Sequence, residues 1–263
     1  MSLTFDDVTR WVPQGDVFTT TLPEGWMQGR GAFGGILAAA ALREMRALVA
    51  PERTPRSVTT LFLGPVGPEP AVMTVRILRE GRSVSFTEAE ITQAGTVRVR
   101  VQAALGADRP SKLAVETAPT VVPSMKDAVF FPHIPGVTPQ FVENVEMRWV
   151  EGSFPFTARP GGAVVAAFLR FTKPASRGYE RLIALSDFMP APVLQQLESP
   201  APASTISWTT HFVEPDTVPE GEWVYFRYET LAAAHGYCTA VGRMVDMQGR
   251  LLAWQEQLHA VFG

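Results

Sequence analysis

The stretch Gly29-Arg30-Gly31-Ala32-Phe33-Gly34-Gly35-Ile36-Leu37-Ala38-Ala39-Ala40-Ala41-Leu42-Arg43-Glu44-Met45 decides how this chain reads. Glycines lead into a run of strong helix formers. The helix is apolar almost all round for its first two turns, so other structure must wrap it. Strand-like runs rich in β-branched residues follow: Ser57–Leu63, ending at Gly64-Pro65, then Ala71–Leu78, Val84–Thr92 and Thr96–Leu105. Glu80-Gly81 and Gln93-Ala94-Gly95 form hairpin-like turns between the last three, which points to an antiparallel sheet.

From Gly106 to Pro139 the character changes, with prolines at 110, 119, 123, 132, 135 and 139. This segment reads as a linker that packs partly across the surface. Strands resume at Glu143–Val150 and Ala163–Phe171. A helical stretch spans about Glu180–Leu197, broken by Pro190 and Pro192. Strands then fall near Thr205–Val213, Trp223–Leu231, Tyr237–Asp246 and Arg250–Phe262. The two halves therefore have the same order of elements, and their punctuation recurs at a nearly fixed spacing. Pro65 answers to Pro215 at 150 residues, Gly81 to Gly236 at 155, and Gly95 to Gly249 at 154.

A buried helix wrapped by an antiparallel sheet is the hotdog arrangement. Two copies make an α+β double hotdog, two wrapped helices under one continuous, pseudo-dimeric sheet. The boundaries expected are an N-terminal hotdog over 1–106, a Pro-rich crossover over 107–139 and a C-terminal hotdog over 140–263. The repeat is most informative where it breaks. Asp187 falls against Gly34 or Gly35, Thr205 against Pro55 or Arg56, and Gln257 against Ala103. A buried amide needs partners that an alanine does not. The functional site is therefore expected in the second half, facing the first.

Composition narrows the chemistry. The chain has 263 residues, 46% of them hydrophobic and 19% charged, which fits a folded protein with a substantial core. The net charge of −3 argues against nucleic-acid binding. One cysteine, Cys238, and four scattered histidines (His133, His211, His235, His259) supply no metal-ligand spacing, so no metal and no cofactor are expected. No apolar run is long enough for a membrane span, and the N-terminus lacks the pattern of a signal peptide, so the expected location is cytoplasmic. Gly29-x-Gly31-x-x-Gly34 formally matches a dinucleotide fingerprint, but no clear strand precedes it, and it reads as the entry to a packed helix. No Gly-x-Ser-x-Gly elbow is present.

These residues resemble the acyl-CoA thioesterase II (TesB-like) family of double-hotdog thioesterases over nearly the whole chain. The likeness rests on Phe33-Gly34-Gly35, Ser57–Pro65, Leu78-Arg79-Glu80-Gly81-Arg82-Ser83, Ser186-Asp187-Phe188, Thr205–Phe212 and Gly249–Gln257. The resemblance implies a role in lipid metabolism, hydrolysing an acyl-CoA to free acid and CoA. The attacking water would be held by Asp187, Thr205 and Gln257. Gln255 stays a candidate beside Gln257, because residues two apart in a strand share a face. Ser207-Trp208 departs from the Asp-His pair often found in the family. Asp187, read as lying near a helix start, would be ionised with help from the dipole. The backbone N–H groups of Gly34 and Gly35 would bind the substrate carbonyl, and the acyl chain would lie in an apolar tunnel between the halves. Higher assembly is common in the resembling family, so a homodimer of double hotdogs is one outcome the resemblance allows, and the sequence leaves assembly open. The residues alone also permit a structural role for each candidate: Asp187 as a helix cap, Thr205 as an ordinary strand residue, Gln257 as a solvent-facing one. Two other functions stay open: a hotdog acyl-CoA hydratase or dehydratase, for which no histidine looks well placed, and a non-catalytic carrier of an acyl or other apolar ligand.

Overall fold

Residues Gly34–Ala47 form the long helix that the glycine-led run predicts. The structure, a computed structural model, describes residues 3–113, 115, 118–213, 218–219 and 221–262. In chain order, the first half holds helix α1 (Phe5–Val8), strands β1 (Val12–Gln14) and β2 (Val17–Thr20), and a small ribbon of β3 (Met27–Gln28) and β4 (Gly31–Ala32). The helix α2 (Gly34–Ala47) follows, then β5 (Thr54–Phe62), β6 (Ala71–Glu80), β7 (Val84–Gln93) and β8 (Thr96–Gly106). The second half holds β9 (Val129–Phe131), β10 (Val145–Glu151), β11 (Val164–Phe171), helix α3 (Tyr179–Ser186), β12 (Ala203–Phe212), β13 (Val224–Ala234), β14 (Tyr237–Val245) and β15 (Leu251–Val261).

Among the described residues, thirteen strands make one sheet in the order β1-β2-β6-β7-β8-β5-β12-β15-β14-β13-β11-β10-β9. Read outward from the middle, β5-β8-β7-β6-β2 is mirrored by β12-β15-β14-β13-β11. This is the double hotdog. Its seam is the antiparallel pair β5–β12, in which Thr59 faces Thr209, exactly 150 residues on. Their hydroxyl oxygens lie 3.0 Å apart on the pseudo-two-fold axis. Pro215, the partner of Pro65 in the predicted repeat, lies outside the described residues.

The register shifts also recur. β5 slips between Pro55 and Ser57, and β12 slips between Thr205 and Ser207. β6 slips between Ile77 and Arg79, and β13 between Thr230 and Ala232. Such bulges re-aim side chains and increase local twist. Val58 faces Ala103 in the first half as Trp208 faces Gln257 in the second, so Ala103 and Gln257 are structural equivalents.

Helices α2 and α3 lie against one face of the sheet and against each other, running antiparallel. Arg46 near the end of α2 bonds Glu180 near the start of α3 (2.6 Å). At the other end, a Cβ on Gly35 would come within 2.7 Å of the Ala184 carbonyl oxygen. Ala38–Ala41 are fully buried, and small side chains there let the sheet and α3 close on the helix.

The second helix is shorter than its sequence pattern suggests. The expected stretch over 180–197 ends at Ser186, and only a 3-10 turn over Pro192–Gln196 follows. Pro190 and Pro192 each lack an N–H and cannot continue a helix. The crossover lies against the second half: Thr120 N–H donates to Gly249 O (2.9 Å), and β9 adds an edge strand to β10. Among the described residues no helix is long and apolar enough to cross a membrane.

Candidate active site

Asp187 is the C-cap of α3, with φ −92° and ψ 0°. This corrects the expectation of a helix start. The C-terminal end of α3 carries partial negative charge, which disfavours a carboxylate. Support comes instead from the other helix: the backbone N–H of Gly35, in the first turn of α2, faces the Asp187 carboxylate. Burial outweighs that support and outweighs the Gln257 hydrogen bond, pushing the Asp187 pKa up to about 7. The carboxyl is thus poised near neutrality and is not firmly ionised as the sequence reading expects.

Gly34 makes room for this group. A Cβ there would meet Asp187 Oδ2 at 2.7 Å and the Phe62 ring at 2.7 Å. The expected pair of carbonyl-binding amides is therefore divided. Gly35 N–H faces Asp187, while Gly34 N–H is a first-turn amide with no partner inside its own helix. Around this junction Phe33, Phe141 and Phe188 form a buried aromatic trio. The centroids of Phe33 and Phe141 are 4.3 Å apart and those of Phe141 and Phe188 are 5.4 Å apart. Phe33 caps α2 and Phe188 follows Asp187, so the trio ties the two helix ends together.

Gln257 comes from β15 and is buried. Its Nε2 approaches Asp187 Oδ1 at 3.4 Å, and its Oε1 accepts from Thr205 Oγ1 at 3.1 Å. Three sequence-predicted residues from α3, β12 and β15 thus meet in one connected group. Gln255 has a different task. Its Oε1 accepts from Trp208 Nε1 (2.8 Å), and its Nε2 donates to Ser186 O (2.8 Å). That holds the last turn of α3 against the sheet and leaves contact with Asp187 to Gln257.

Two residues escaped the sequence reading, which found no well-placed histidine. His259 Nδ1 lies 3.3 Å from Thr205 Oγ1, and His259 Nε2 lies 2.6 Å from the Tyr228 hydroxyl. Burial lowers the His259 pKa to about 4, so the ring is neutral at ordinary pH. Burial, with the Asp187 charge as a lesser cause, raises the Tyr228 phenol well above its ordinary value. The repeat carried a signal for both. Thr205 faces His259 where Pro55 faces Leu105, and Tyr228 occupies the place of Val75. Among the described residues no cluster of His, Cys, Asp and Glu could hold a metal ion.

Family comparison matches the chain in two consecutive pieces. An acyl-CoA thioesterase N-terminal domain matches residues 22–106, and an acyl-CoA thioesterase C-terminal domain matches residues 117–261. No curated protein matches the sequence. Among solved structures, a protein of unknown function with hot dog fold from Alicyclobacillus acidocaldarius has a TM-score of 0.86 and 25% identity. That match covers 100% of this chain and 99% of the other. An acyl-CoA thioesterase II from Mycobacterium marinum has a TM-score of 0.78 and 18% identity, covering 99% of each chain. At that identity the second likeness speaks for the fold alone.

Proposed function

The chain belongs to the acyl-CoA thioesterase family, and from that premise we propose that it hydrolyses an acyl-CoA with a water activated by Asp187 and positioned by Gln257 and Thr205. The observation that carries the reading is the connected group Asp187–Gln257–Thr205 at the N-terminus of α2. A carboxyl with a pKa of about 7 has the basicity that a general base needs near neutral pH. The Gln257 amide spends one N–H on Asp187 and keeps a second for the water. Thr205 keeps a hydroxyl oxygen to face the same space.

In the reaction, Asp187 takes a proton from the water as its oxygen attacks the thioester carbonyl carbon. The developing oxyanion lies by the Gly34 N–H, at the positive end of α2. The tetrahedral intermediate collapses, the carbon–sulfur bond breaks, and the proton held by Asp187 passes to the departing CoA sulfur. Free acid and CoA leave, and no covalent enzyme intermediate is needed. The acyl chain is expected to lie in an apolar tunnel between the halves, and a role in cytoplasmic lipid metabolism would suit such a reaction. Homodimerisation of the double hotdog is compatible with this reading and not required by it. Both His259 ring nitrogens are occupied by Thr205 and Tyr228, which speaks against a histidine-based hydration.

The test is release of free thiol from a panel running from acetyl-CoA to palmitoyl-CoA. Asp187→Asn should lower kcat by about 100-fold or more with the fold intact, the range expected for loss of a general base. Wild-type turnover by that variant, or no cleavage of any panel member by the native protein, overturns the reading.

A further inference from the structure

We propose that His259 and Tyr228 are positioning residues that fix the direction of a one-way hydrogen-bond chain ending on Asp187. The proposal rests on the thioesterase reading for its kinetic consequence and on geometry alone for the chain itself. The direction follows link by link. An ionised carboxylate only accepts, so Gln257 must turn its Nε2 toward Asp187 Oδ1, as it does. Its Oε1 then faces Thr205, whose hydroxyl must donate (3.1 Å). A hydroxyl has one proton. With that proton given to Gln257, Thr205 Oγ1 can only accept from His259 Nδ1 (3.3 Å), so Nδ1 carries the hydrogen. A neutral imidazole has one N–H, which leaves Nε2 bare to accept from the Tyr228 hydroxyl (2.6 Å).

The protonation states agree with this order. Burial keeps His259 neutral and holds the Tyr228 phenol protonated. With Asp187 ionised, every link has one arrangement, and each donor points toward the carboxylate. The function of the chain is to forbid the flipped Gln257 amide, which would set its carbonyl oxygen against Asp187. Linked bonds in a buried setting also polarise one another, strengthening the last donor.

The first half shows that the strands do not need these groups to pack. Pro55, Ala103, Leu105 and Val75 stand where Thr205, Gln257, His259 and Tyr228 stand in the second half, in the same register and with the same bulges. Burying four polar side chains is costly unless all are satisfied. Here they are satisfied by one another, in a sequence that ends at the base.

Two measurements test the proposal. The first is the tautomer of His259, read from imidazole nitrogen shifts in nitrogen-15-labelled native protein at pH 8 to 9, where Asp187 is ionised. The Nδ1–H form is expected, and an Nε2–H form or an imidazolium overturns the chain. The second is kinetics on whichever acyl-CoA, from acetyl to palmitoyl, the native protein cleaves fastest. Tyr228→Phe keeps the ring and deletes the terminal donor, and should lower kcat about three- to tenfold with KM within about twofold, the scale of one hydrogen bond. His259→Asn can still donate to Thr205 and should retain more kcat than His259→Leu, which installs the residue found at position 105. Native kcat in all three variants, or a change in KM alone, overturns the positioning role whatever the tautomer. Should His259→Leu fail to fold by circular dichroism, Tyr228→Phe and the tautomer decide. A native protein inactive on every acyl-CoA overturns the thioesterase reading and the kinetic role with it, while the tautomer still decides the chain.

Discussion

Strands β5–β8 and β12–β15 share an order, a register and the position of their bulges, yet they differ in chemistry at a few equivalent inward positions. At four equivalent inward positions, one side of the seam has Pro55, Val75, Ala103 and Leu105. The other has Thr205, Tyr228, Gln257 and His259. The difference separates what builds a hotdog from what equips one. Shape follows from β-branched strands, glycine turns and two antiparallel helices. Chemistry follows from a few polar substitutions at positions where the fold is indifferent.

Exchanging residues across the seam breaks or sharpens that comparison. The largest effect belongs to the base itself, where Asp187→Asn should cost about 100-fold or more in kcat. Gln257→Ala makes the second half resemble the first and should lower kcat about 10- to 100-fold, because both Asp187 and Thr205 lose their shared partner. A thiol-release assay checks it, and native turnover would refute the assignment. The reverse exchange, Ala103→Gln, forces a larger polar amide into a packed core beside Val58, where the lone Thr87 hydroxyl opposite cannot satisfy it. It should destabilise the fold by about 2–4 kcal/mol and create no activity, as read by denaturant unfolding. An unchanged midpoint would mean that the two halves are more alike inside than their sequences state.

The pH dependence of Asp187 gives a finer prediction. Its folded pKa of about 7 lies above its ordinary value of 3.8, so the folded state holds a proton that the unfolded chain releases. Stability from this group is complete below pH 4 and is lost as pH rises through 7. Over the same window the carboxylate appears, so kcat/KM should climb with a midpoint near 7. Asp187→Asn should therefore be more stable than the native protein by about 4 kcal/mol at pH 8, with the advantage vanishing near pH 4. Thermal unfolding across pH measures it, and a gap independent of pH would show that Asp187 is not strained. The smallest effect is at the seam. Thr59→Val removes one hydroxyl of the pair with Thr209 and should cost about 1 kcal/mol or less in stability with kcat unchanged.

Much of this architecture is legible in the amino acids. The glycine-led helix, the strands on either side and the repeat follow from periodicity and turn residues, and the repeat marks Thr205 and Gln257 by contrast with their counterparts. Three things are not legible. Helical patterning extends past Ser186 although Pro190 and Pro192 stop the backbone, and that places Asp187 at the wrong end of a helix dipole. Alternation cannot choose between Gln255 and Gln257, which are both buried; only the separate demands of Trp208 and Ser186 on Gln255 decide. His259 and Tyr228 sit on strands separated by β14, thirty-one residues apart, so no local motif joins them. Setting each polar residue against its repeat partner would have exposed both, since leucine and valine occupy the equivalent places.

The Thr59–Thr209 contact has a stoichiometric consequence. Two identical chains meeting at such a seam would carry every substitution in duplicate, so each gain for the site would be matched by an equal burden opposite it. Joining the copies into a single polypeptide releases one from the other, and a helix entry with two glycines can receive a carboxylate that its counterpart never has to accommodate. A tight, unreactive thioester analogue should therefore saturate at one equivalent per chain, half of what two interchangeable units would take up.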